Sequence, residues 1–297
     1  MGRNIKTSKE DRIYYTVTGF IITLILICVL YPIIYIISAS FSSGRAVLSG
    51  KVFLWPVEFS LEGYQAVFKN DDVITGYANT IFYAVIGTFF NVCLTLVAAY
   101  PLSRRDLPAR NFFAFFFSFT MMFNGGIVPN YLLMRDLHLL NTRLALIVPG
   151  AISVYNMLVV KTFIQNSIPQ ELLEASQMDG CSDTKYFFKV VLPLSKASIA
   201  VITLYYAVAH WNSYFNALMF LNDRSLIPLQ LVLREILVAN TVNASTIMDP
   251  ELLEAKEGVA ELLKYSLIIV SSLPIICVYP FVQKYFVKGV MVGSVKG

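Results

Sequence analysis

The chain has 297 residues, of which 57% are hydrophobic and 14% are charged, whereas a soluble domain is about half apolar and about a quarter charged. This composition indicates an integral membrane protein and argues against a soluble domain. The formal net charge of +4 is small, and no basic stripe with interleaved aromatic residues indicates a nucleic-acid partner.

Six apolar runs reach the roughly 20 residues that a helix needs to cross a bilayer. Backbone polar groups in lipid must pair within their own segment, so we predict that each run is a transmembrane helix. The runs are 15–40, 77–100, 112–134, 143–165, 197–221 and 264–285. They define an N-terminal segment 1–14, a transmembrane domain 15–285 and a tail 286–297. The predicted fold class is therefore all-α integral membrane, with six transmembrane helices.

Lysine and arginine residues set the predicted orientation, because cytoplasmic loops of membrane proteins carry an excess of them. If the amino terminus is cytoplasmic, the basic residues of segment 1–14, of loop 166–196 and of the tail also lie on the cytoplasmic side. Arg104, Arg105 and Arg110 lie on that side as well. Both termini are then cytoplasmic. The loops 42–76 and 222–263 lie outside, and the second could contain a short amphipathic helix over 226–237.

The block from Pro169 to Pro193 is polar, lies between two apolar runs and predicts two short helices. Pro169 suits the start of a helix, because its missing N–H would be unpaired there. Gly180 can end the first helix in the left-handed conformation, which glycine enters cheaply. Ser182 can cap the second helix, which ends before Pro193. Isolated helices shorter than about 12 residues are marginal in water, so we expect this loop to dock on a partner protein.

This block resembles the cytoplasmic coupling loop of ABC importer permeases, known as the EAA loop. The matching positions are Glu174, Ala175, Ser176, Asp179, Gly180, Leu192 and Pro193. Cys181 stands where the family usually has alanine. The resemblance implies that these residues dock on an ATPase subunit, together with the aromatic group Tyr186, Phe187 and Phe188. The alternative for the three aromatic rings is packing under the ends of neighbouring helices.

Other segments resemble the carbohydrate-uptake branch of that family, which is related to the second maltose permease subunit. They are Asn79-Thr80, the run from Ala98 to Arg104, Trp211-Asn212 and the tail motif from Phe286 to Gly289. The run from Phe123 to Pro129 resembles the subgroup associated with complex polysaccharides and oligosaccharides. The resemblance implies a type I ABC importer permease fold with cytoplasmic coupling helices, located in the bacterial cell membrane.

The resemblance also implies a function and a set of partners. The chain would be the non-catalytic permease subunit of an ATP-driven importer, forming half of the pathway for a carbohydrate. Its partners would be a second, non-identical permease, two ABC ATPase subunits and an extracellular or periplasmic sugar-binding protein. The sequence has no G-x-x-x-x-G-K-[ST] loop and no metal-spaced histidines or cysteines. We therefore expect ATP and Mg²⁺ on the ATPase partners, and no cofactor or metal in this chain.

Polar residues in the fifth run are candidates for the sugar pathway. His210, Trp211 and Asn212 combine hydrogen-bonding groups with an aromatic plane, and Tyr206 and Asn216 lie in the same run. Sugar hydroxyls take hydrogen bonds, and the C–H face of a sugar ring stacks on an indole. The alternative for the histidine is an interhelical hydrogen bond, and for the tryptophan it is ordinary packing.

Asn124, Gly125 and Gly126 form a second candidate for the pathway, in the third run. The paired glycines with Pro129 weaken the helix and could free backbone carbonyls toward a cavity. An amide at membrane depth usually faces a bundle interior. The alternative is a notch that lets two helices pack closely.

Two other function classes fit this sequence less well than the importer does. An ion-coupled secondary transporter of a small polar solute usually carries intramembrane carboxylates, but no run has an aspartate or glutamate at its centre. A membrane enzyme would need clustered acids or histidines, but the two histidines, His138 and His210, lie in separate segments. The four cysteines are scattered, and three of them, Cys28, Cys93 and Cys277, lie in apolar runs. We therefore expect small buried hydrophobes rather than disulfides.

Overall fold

The computed structural model describes the backbone of residues 8–239 and 250–294, and the side chains of residues 8–238 and 257–280. The all-α prediction is confirmed, since the described ranges contain helices and no strand. The α-helices are α1 (Lys9–Ser40), α2 (Gly44–Leu48), α3 (Glu62–Lys69), α4 (Asp71–Phe82), α5 (Thr88–Ser103), α6 (Arg110–Met122), α7 (Ile127–Asp136), α8 (Val154–Ser167), α9 (Gln170–Met178), α10 (Asp183–Tyr186), α11 (Leu192–Leu194), α12 (Lys196–Trp211), α13 (Phe215–Phe220), α14 (Leu229–Ala239) and α15 (Pro250–Ser294). Tyr83–Gly87 and Phe187–Val191 are π-helical turns, and Arg143–Leu146 and Arg224–Leu226 are 3₁₀ turns.

Three helical segments in the described part of the chain are long and apolar enough to cross a membrane. They are Lys9–Ser40, Asp71–Ser103 and Glu257–Pro280. Two more pairs of helices reach that length and composition only jointly, because α6 and α7 are bent by 112° and the helices of Asp183–Leu194 and Lys196–Trp211 by 80°. The first, second and sixth predicted runs therefore correspond to continuous helices, whereas the count of six uninterrupted spans is not reproduced.

The third and fifth predicted runs are interrupted. Residues 123–126 separate α6 from α7, as the Gly-Gly pair predicted, and the Asn124 side-chain oxygen accepts a hydrogen bond from the Gly126 N–H at 2.9 Å. The fifth run stops at Trp211 and resumes at Phe215 as the short helix α13. Polar Asn212 and Ser213 lie between the two helices, and such side chains compete with the helical hydrogen-bond pattern.

The expectation of one helix over 143–165 is wrong. A 3₁₀ turn covers Arg143–Leu146, an irregular segment follows, and α8 begins only at Val154. Pro149 and Gly150 explain the interruption, because proline lacks an N–H for the helix and glycine weakens it. The loop 222–263, predicted to lie outside, is also more helical than expected. Its predicted helix, 226–237, is observed as Leu229–Ala239, and α15 already begins at Pro250.

The chain divides into two compact units. The first contains residues 1–70 and 236–271, and its core is built from the end of α1, from α2 and from α15. Tyr35 and Tyr265 meet edge to face with ring centroids 5.8 Å apart. Ser38 donates a hydrogen bond to the Leu54 carbonyl at 2.7 Å, which fixes the loop after α2. The buried hydrophobic residues of this core are Ala39, Ala46, Val47, Val52 and Leu262.

The second unit contains residues 71–235 and 272–297, and its core lies between α5, α8 and α12. Met157, Val160 and Ile202 are fully buried there. The other members of this core are Leu96, Ala99, Leu102, Ile164, Tyr186, Phe187, Val191 and Tyr206. The core thus includes residues of both the predicted membrane helices and the polar block 169–193.

Some sequence predictions lie outside the described residues, and one is corrected. Residues 1–7 and the side chains of the tail motif from Phe286 to Gly289 are outside the described residues. The four cysteines are free thiols, as expected. Cys28, Cys93 and Cys277 are exposed on this chain rather than buried, because they lie on helix faces that the chain does not cover.

Candidate coupling loop and transport cavity

The block 169–193 folds as two short helices joined by a tight turn. Pro169 caps α9, and Ser182 caps the second helix by accepting a hydrogen bond from the Lys185 N–H at 3.3 Å. Gly180 has φ +70°, the left-handed conformation. Nothing lies within 4 Å of the position that a Cβ would take at Gly180. The backbone conformation alone therefore requires glycine here, and the predicted helix-turn-helix is confirmed. The predicted end of the second helix is wrong, because the helical turns run from Asp183 through Pro193 to Leu194.

The family-matching residues of this block are mostly exposed in the chain. Glu174, Ala175, Asp179 and Pro193 are exposed, while Ser176 and Leu192 are half-buried. The Glu174 carboxylate accepts a hydrogen bond from the Gln170 side chain at 3.1 Å. The exposed carboxylate, small residue and turn thus lie on a surface open to a partner, which is the arrangement that a docking loop requires.

Met178 is the most exposed apolar residue of this loop. Its side chain is 89% exposed at the end of α9, where both of its sequence neighbours, Gln177 and Asp179, are polar. Methionine adapts its shape to irregular surfaces and is common at docking sites. The sequence prediction missed this residue, and the signal that could have found it is an apolar side chain among polar ones at the tip of the turn.

The three predicted aromatic residues separate into two environments. Tyr186 and Phe187 are 4% and 9% exposed and belong to the core of the second unit, whereas Phe188 is 61% exposed. The Phe187 ring packs against Tyr100 of α5 with centroids 5.0 Å apart. Packing within the chain, the alternative left open above, therefore describes the first two rings, and Phe188 alone of the three is available to a partner.

Arg104, which directly follows α5, connects that helix to the loop. Its Nε donates to Asp106 at 2.8 Å and its Nη1 donates to the Tyr100 hydroxyl at 3.1 Å. The guanidinium also forms an ion pair with Asp183, the first residue of α10. Hydrogen bonding to Arg104 lowers the pKa of Asp106, and that carboxylate in turn raises the pKa of Arg104. Sequence reasoning assigned the arginine only to the inner surface and missed this connection.

The second unit also contains a cavity of about 760 Å³. Four of the five candidates of the fifth run line it, namely Tyr206, His210, Asn212 and Asn216. The other polar residues of its lining are Asn91, Ser153, Tyr155, Asn156, Tyr205, Ser213 and Tyr279. No lysine, arginine, aspartate or glutamate is among the described lining residues. Its chemistry is therefore that of amides, hydroxyls and aromatic rings, which suits a ligand rich in hydroxyl groups.

A hydrogen-bond network fixes one wall of this cavity. The Asn91 amide nitrogen donates to the carbonyls of Gly150 and Ala151 at 3.1 and 2.8 Å. Because its nitrogen is the donor, the Asn91 oxygen is the acceptor of the 2.7 Å hydrogen bond with His210 Nε2. Nε2 therefore carries the proton, which leaves Nδ1 of the neutral ring as an acceptor.

Tyr206 also bonds to the irregular segment that precedes α8. Its hydroxyl accepts a hydrogen bond from the Ser153 N–H at 2.9 Å and lies 2.6 Å from the Thr95 hydroxyl. The Tyr206 bond to Ser153 and the Asn91 bonds to Gly150 and Ala151 satisfy backbone groups that a continuous helix would have paired. Backbone groups at membrane depth need such partners. Asn91 and Asn156 were not predicted as site residues. Their amides within apolar runs are the signal that could have found them.

The remaining pathway candidates lie elsewhere. Trp211 is 7% exposed and packs edge to face on Tyr77 with ring centroids 5.8 Å apart, so it is not part of the cavity lining. Asn124, Gly125 and Gly126 are exposed at the break between α6 and α7. The chain brings the residues of α12 and α13 together in one cavity and leaves the third-run group outside it.

Comparison with known proteins gives consistent results. Residues 73–292 match the family described as "Binding-protein-dependent transport system inner membrane component". The chain is 42% identical to the polygalacturonan/rhamnogalacturonan transport system permease protein YtcP of Bacillus subtilis, over 94% of this chain and 96% of that protein. It is 38% identical to protein LplC of the same organism, over 90% and 89%. A crystal structure of a bacterial ABC transporter involved in the import of the acidic polysaccharide alginate contains a chain with TM-score 0.86 and 37% identity, covering 95% of this chain and 100% of that one.

Proposed function

Since the chain belongs to the family of binding-protein-dependent transport inner membrane components, we propose that it forms half of the import pathway for an oligosaccharide. Members of this family are non-catalytic permease components of ABC importers, which work with ATPase subunits and a substrate-binding protein. This membership favours the importer over the ion-coupled secondary transporter. The finer proposal is that a second, non-identical permease completes the pathway, in a bacterial cell membrane with both termini cytoplasmic.

We propose that the helix pair of 169–193 is the docking site for one ATPase subunit, which carries the ATP and Mg²⁺. The observation that supports this is the exposed surface of that pair, with Gly180 setting the turn and Met178 89% exposed at its tip. ATP-driven closure of the ATPases would move the docked helices and with them the transmembrane segments. Alternating access of this kind is largely rigid-body motion around a central site.

The docking proposal is tested by co-purification. Glu174→Ala is compared with Glu171→Ala, because both residues are exposed glutamates of α9. We expect the ATPase recovered with the permease, and the substrate uptake, to fall for Glu174→Ala and to stay near wild type for Glu171→Ala. Equal ATPase recovery and uptake in both variants would refute the proposed site, provided that the permease reaches the membrane in equal amounts.

We propose that the cavity beside α12 binds the hydroxyl groups of the sugar. The named relatives support an oligosaccharide, including acidic oligomers related to polygalacturonan, rhamnogalacturonan or alginate. The described lining carries no lysine or arginine, so its contribution to recognition would come from hydrogen bonds rather than from charge. A second permease could supply cations for an acidic cargo.

Uptake measurements test the cavity. We expect Asn212→Leu to raise the concentration of a galacturonate oligomer needed for half-maximal uptake, because the variant loses an amide that lines the cavity. Trp211→Phe is the comparison, since that ring packs within the chain and a smaller aromatic ring keeps most of the packing. The proposal fails if Asn212→Leu leaves this concentration unchanged.

A further inference from the structure

We propose that Arg104 is a positioning residue, which ties the second helix of the coupling loop to α5 so that the two move as one body. This inference rests on the proposed docking of the loop on an ATPase. It concerns a different step, the transmission of movement from the docked loop to a membrane-spanning helix.

The contacts of Arg104 reach both elements at once. It follows the last residue of α5, and its partner Asp183 lies 79 positions further along the chain at the start of α10. The Arg104 side chain is only 12% exposed, while Asp183 is 65% exposed. A mostly buried guanidinium thus holds a carboxylate that projects from the loop.

The chemistry of the site requires an arginine. Two guanidinium nitrogens, Nε and Nη2, donate hydrogen bonds to the Asp106 carboxylate. The third nitrogen, Nη1, donates to Asp183 and to the Tyr100 hydroxyl. Only the planar fork of arginine presents donors in several directions at fixed angles, whereas lysine has a single compact ammonium. Without this cation, the two carboxylates would repel each other across the junction.

A second contact makes the connection rigid. One turn before Arg104, the Tyr100 ring packs against Phe187 with centroids 5.0 Å apart. A third bond, from the Gln165 side chain to the Ser103 carbonyl at 3.2 Å, holds the end of α8 to the same corner. The polar and aromatic contacts are offset along α5, so they resist rotation of the loop helix about either one.

Positioning explains Arg104 better than stability does. Ion pairs with a largely exposed partner typically contribute little to stability, and Asp183 is such a partner. The pair nevertheless lies where the loop and α5 meet. Loss of the pair should therefore weaken the transmission of movement more than it weakens folding.

The experiment uses the complete transporter, with its ATPase subunits and binding protein, in lipid vesicles. Asp183→Asn is compared with Asp106→Asn, because each removes one carboxylate from the same guanidinium but only Asp183 belongs to the loop. We expect substrate imported per ATP hydrolysed to fall about fivefold in Asp183→Asn, which corresponds to about 1 kcal/mol of lost coupling. Asp106→Asn should stay within about twofold of wild type. Arg104→Lys should lower import per ATP as Asp183→Asn does, because a single ammonium cannot hold both carboxylates at fixed angles.

The outcomes separate this inference from the docking proposal. Full recovery of the ATPase with Asp183→Asn, combined with a lower import per ATP, supports the proposed role of Arg104 in linking the loop to α5. Equal import per ATP in Asp183→Asn and Asp106→Asn overturns it, as does wild-type import per ATP in Arg104→Lys. Loss of the ATPase from Asp183→Asn also overturns it, because the residue would then be a docking contact. Failure of the docking proposal is seen separately, as normal ATPase recovery in Glu174→Ala.

Discussion

Gly87→Ala should destabilise the protein, because the imidazole of His210 occupies the space that a side chain would need. Gly87 ends the π-helical turn between α4 and α5. A Cβ there would lie 2.5 Å from His210 Nε2 and 2.6 Å from Cε1. The ring cannot move away freely, since the same Nε2 is hydrogen-bonded to Asn91 at 2.7 Å.

The magnitude follows from three terms. Forcing a methyl group into a packed site costs about 1–3 kcal/mol, and losing a hydrogen bond between membrane helices costs about 0.6 kcal/mol. Alanine returns up to about 1 kcal/mol through its higher helix propensity. The expected net loss is about 2 kcal/mol, or about 30-fold in the ratio of folded to unfolded protein.

Equilibrium unfolding in mixed micelles measures this loss, and Trp211 is a fluorescent reporter close to the site. Gly19→Ala is the matched control, because nothing lies within 4 Å of a Cβ at that helical glycine. In a His210→Ala background the obstacle is gone, so Gly87→Ala should then cost nothing. Equal free energies of unfolding for Gly87→Ala and Gly19→Ala would contradict this prediction. A loss of stability from Gly87→Ala that persists in the His210→Ala background would contradict it too.

Three further predictions concern the loop and its surroundings. Gly180→Ala should reduce ATPase recovery and uptake. Gly50 is the control position, because it has the same left-handed backbone (φ +66°) in an open site. Gly50→Ala should lower the free energy of unfolding by a similar amount, about 1–2 kcal/mol, but leave uptake unchanged. Met178→Ala should weaken ATPase retention in a salt wash by about 1 kcal/mol or more, while Met122→Ala, 82% exposed, should not. The lowered pKa of Asp106 means that its contribution to stability is present above the unfolded-state pKa of about 3.9 and is lost as the pH falls through the folded-state value. Melting temperatures measured from about pH 5 to pH 2 should therefore fall less steeply for Asp106→Asn than for wild type; parallel curves would contradict this.

Most of the candidate coupling loop could be predicted from the sequence, because its signals are local. A proline, a glycine and a capping serine each constrain their own backbone, and Pro169, Gly180 and Ser182 all have the predicted roles. The continuous membrane helices were predictable for a similar reason, since length and apolar composition are sufficient.

The interrupted helices and the cavity were harder to predict, because they depend on contacts between distant residues. The backbone at Gly150 can leave the helix because Asn91, 59 positions earlier, bonds to its carbonyl. Composition shows an apolar run through 143–165 and does not reveal that partner. The same limit applies to Arg104, whose interaction with Asp183 becomes visible only when α5 and α10 are placed side by side.

On the proposal that the cavity binds the sugar, its wall determines how substrate preference can change. Asn91 and Tyr206 support irregular backbone as well as lining the space, so their replacement would disturb the scaffold itself. Asn212 and Asn216 line the same space, and no side-chain bond of theirs to the backbone occurs among the described residues. Substitutions that accompany a change of substrate should therefore accumulate at Asn212 and Asn216, while Asn91 and Tyr206 stay constant among related transporters with different substrates.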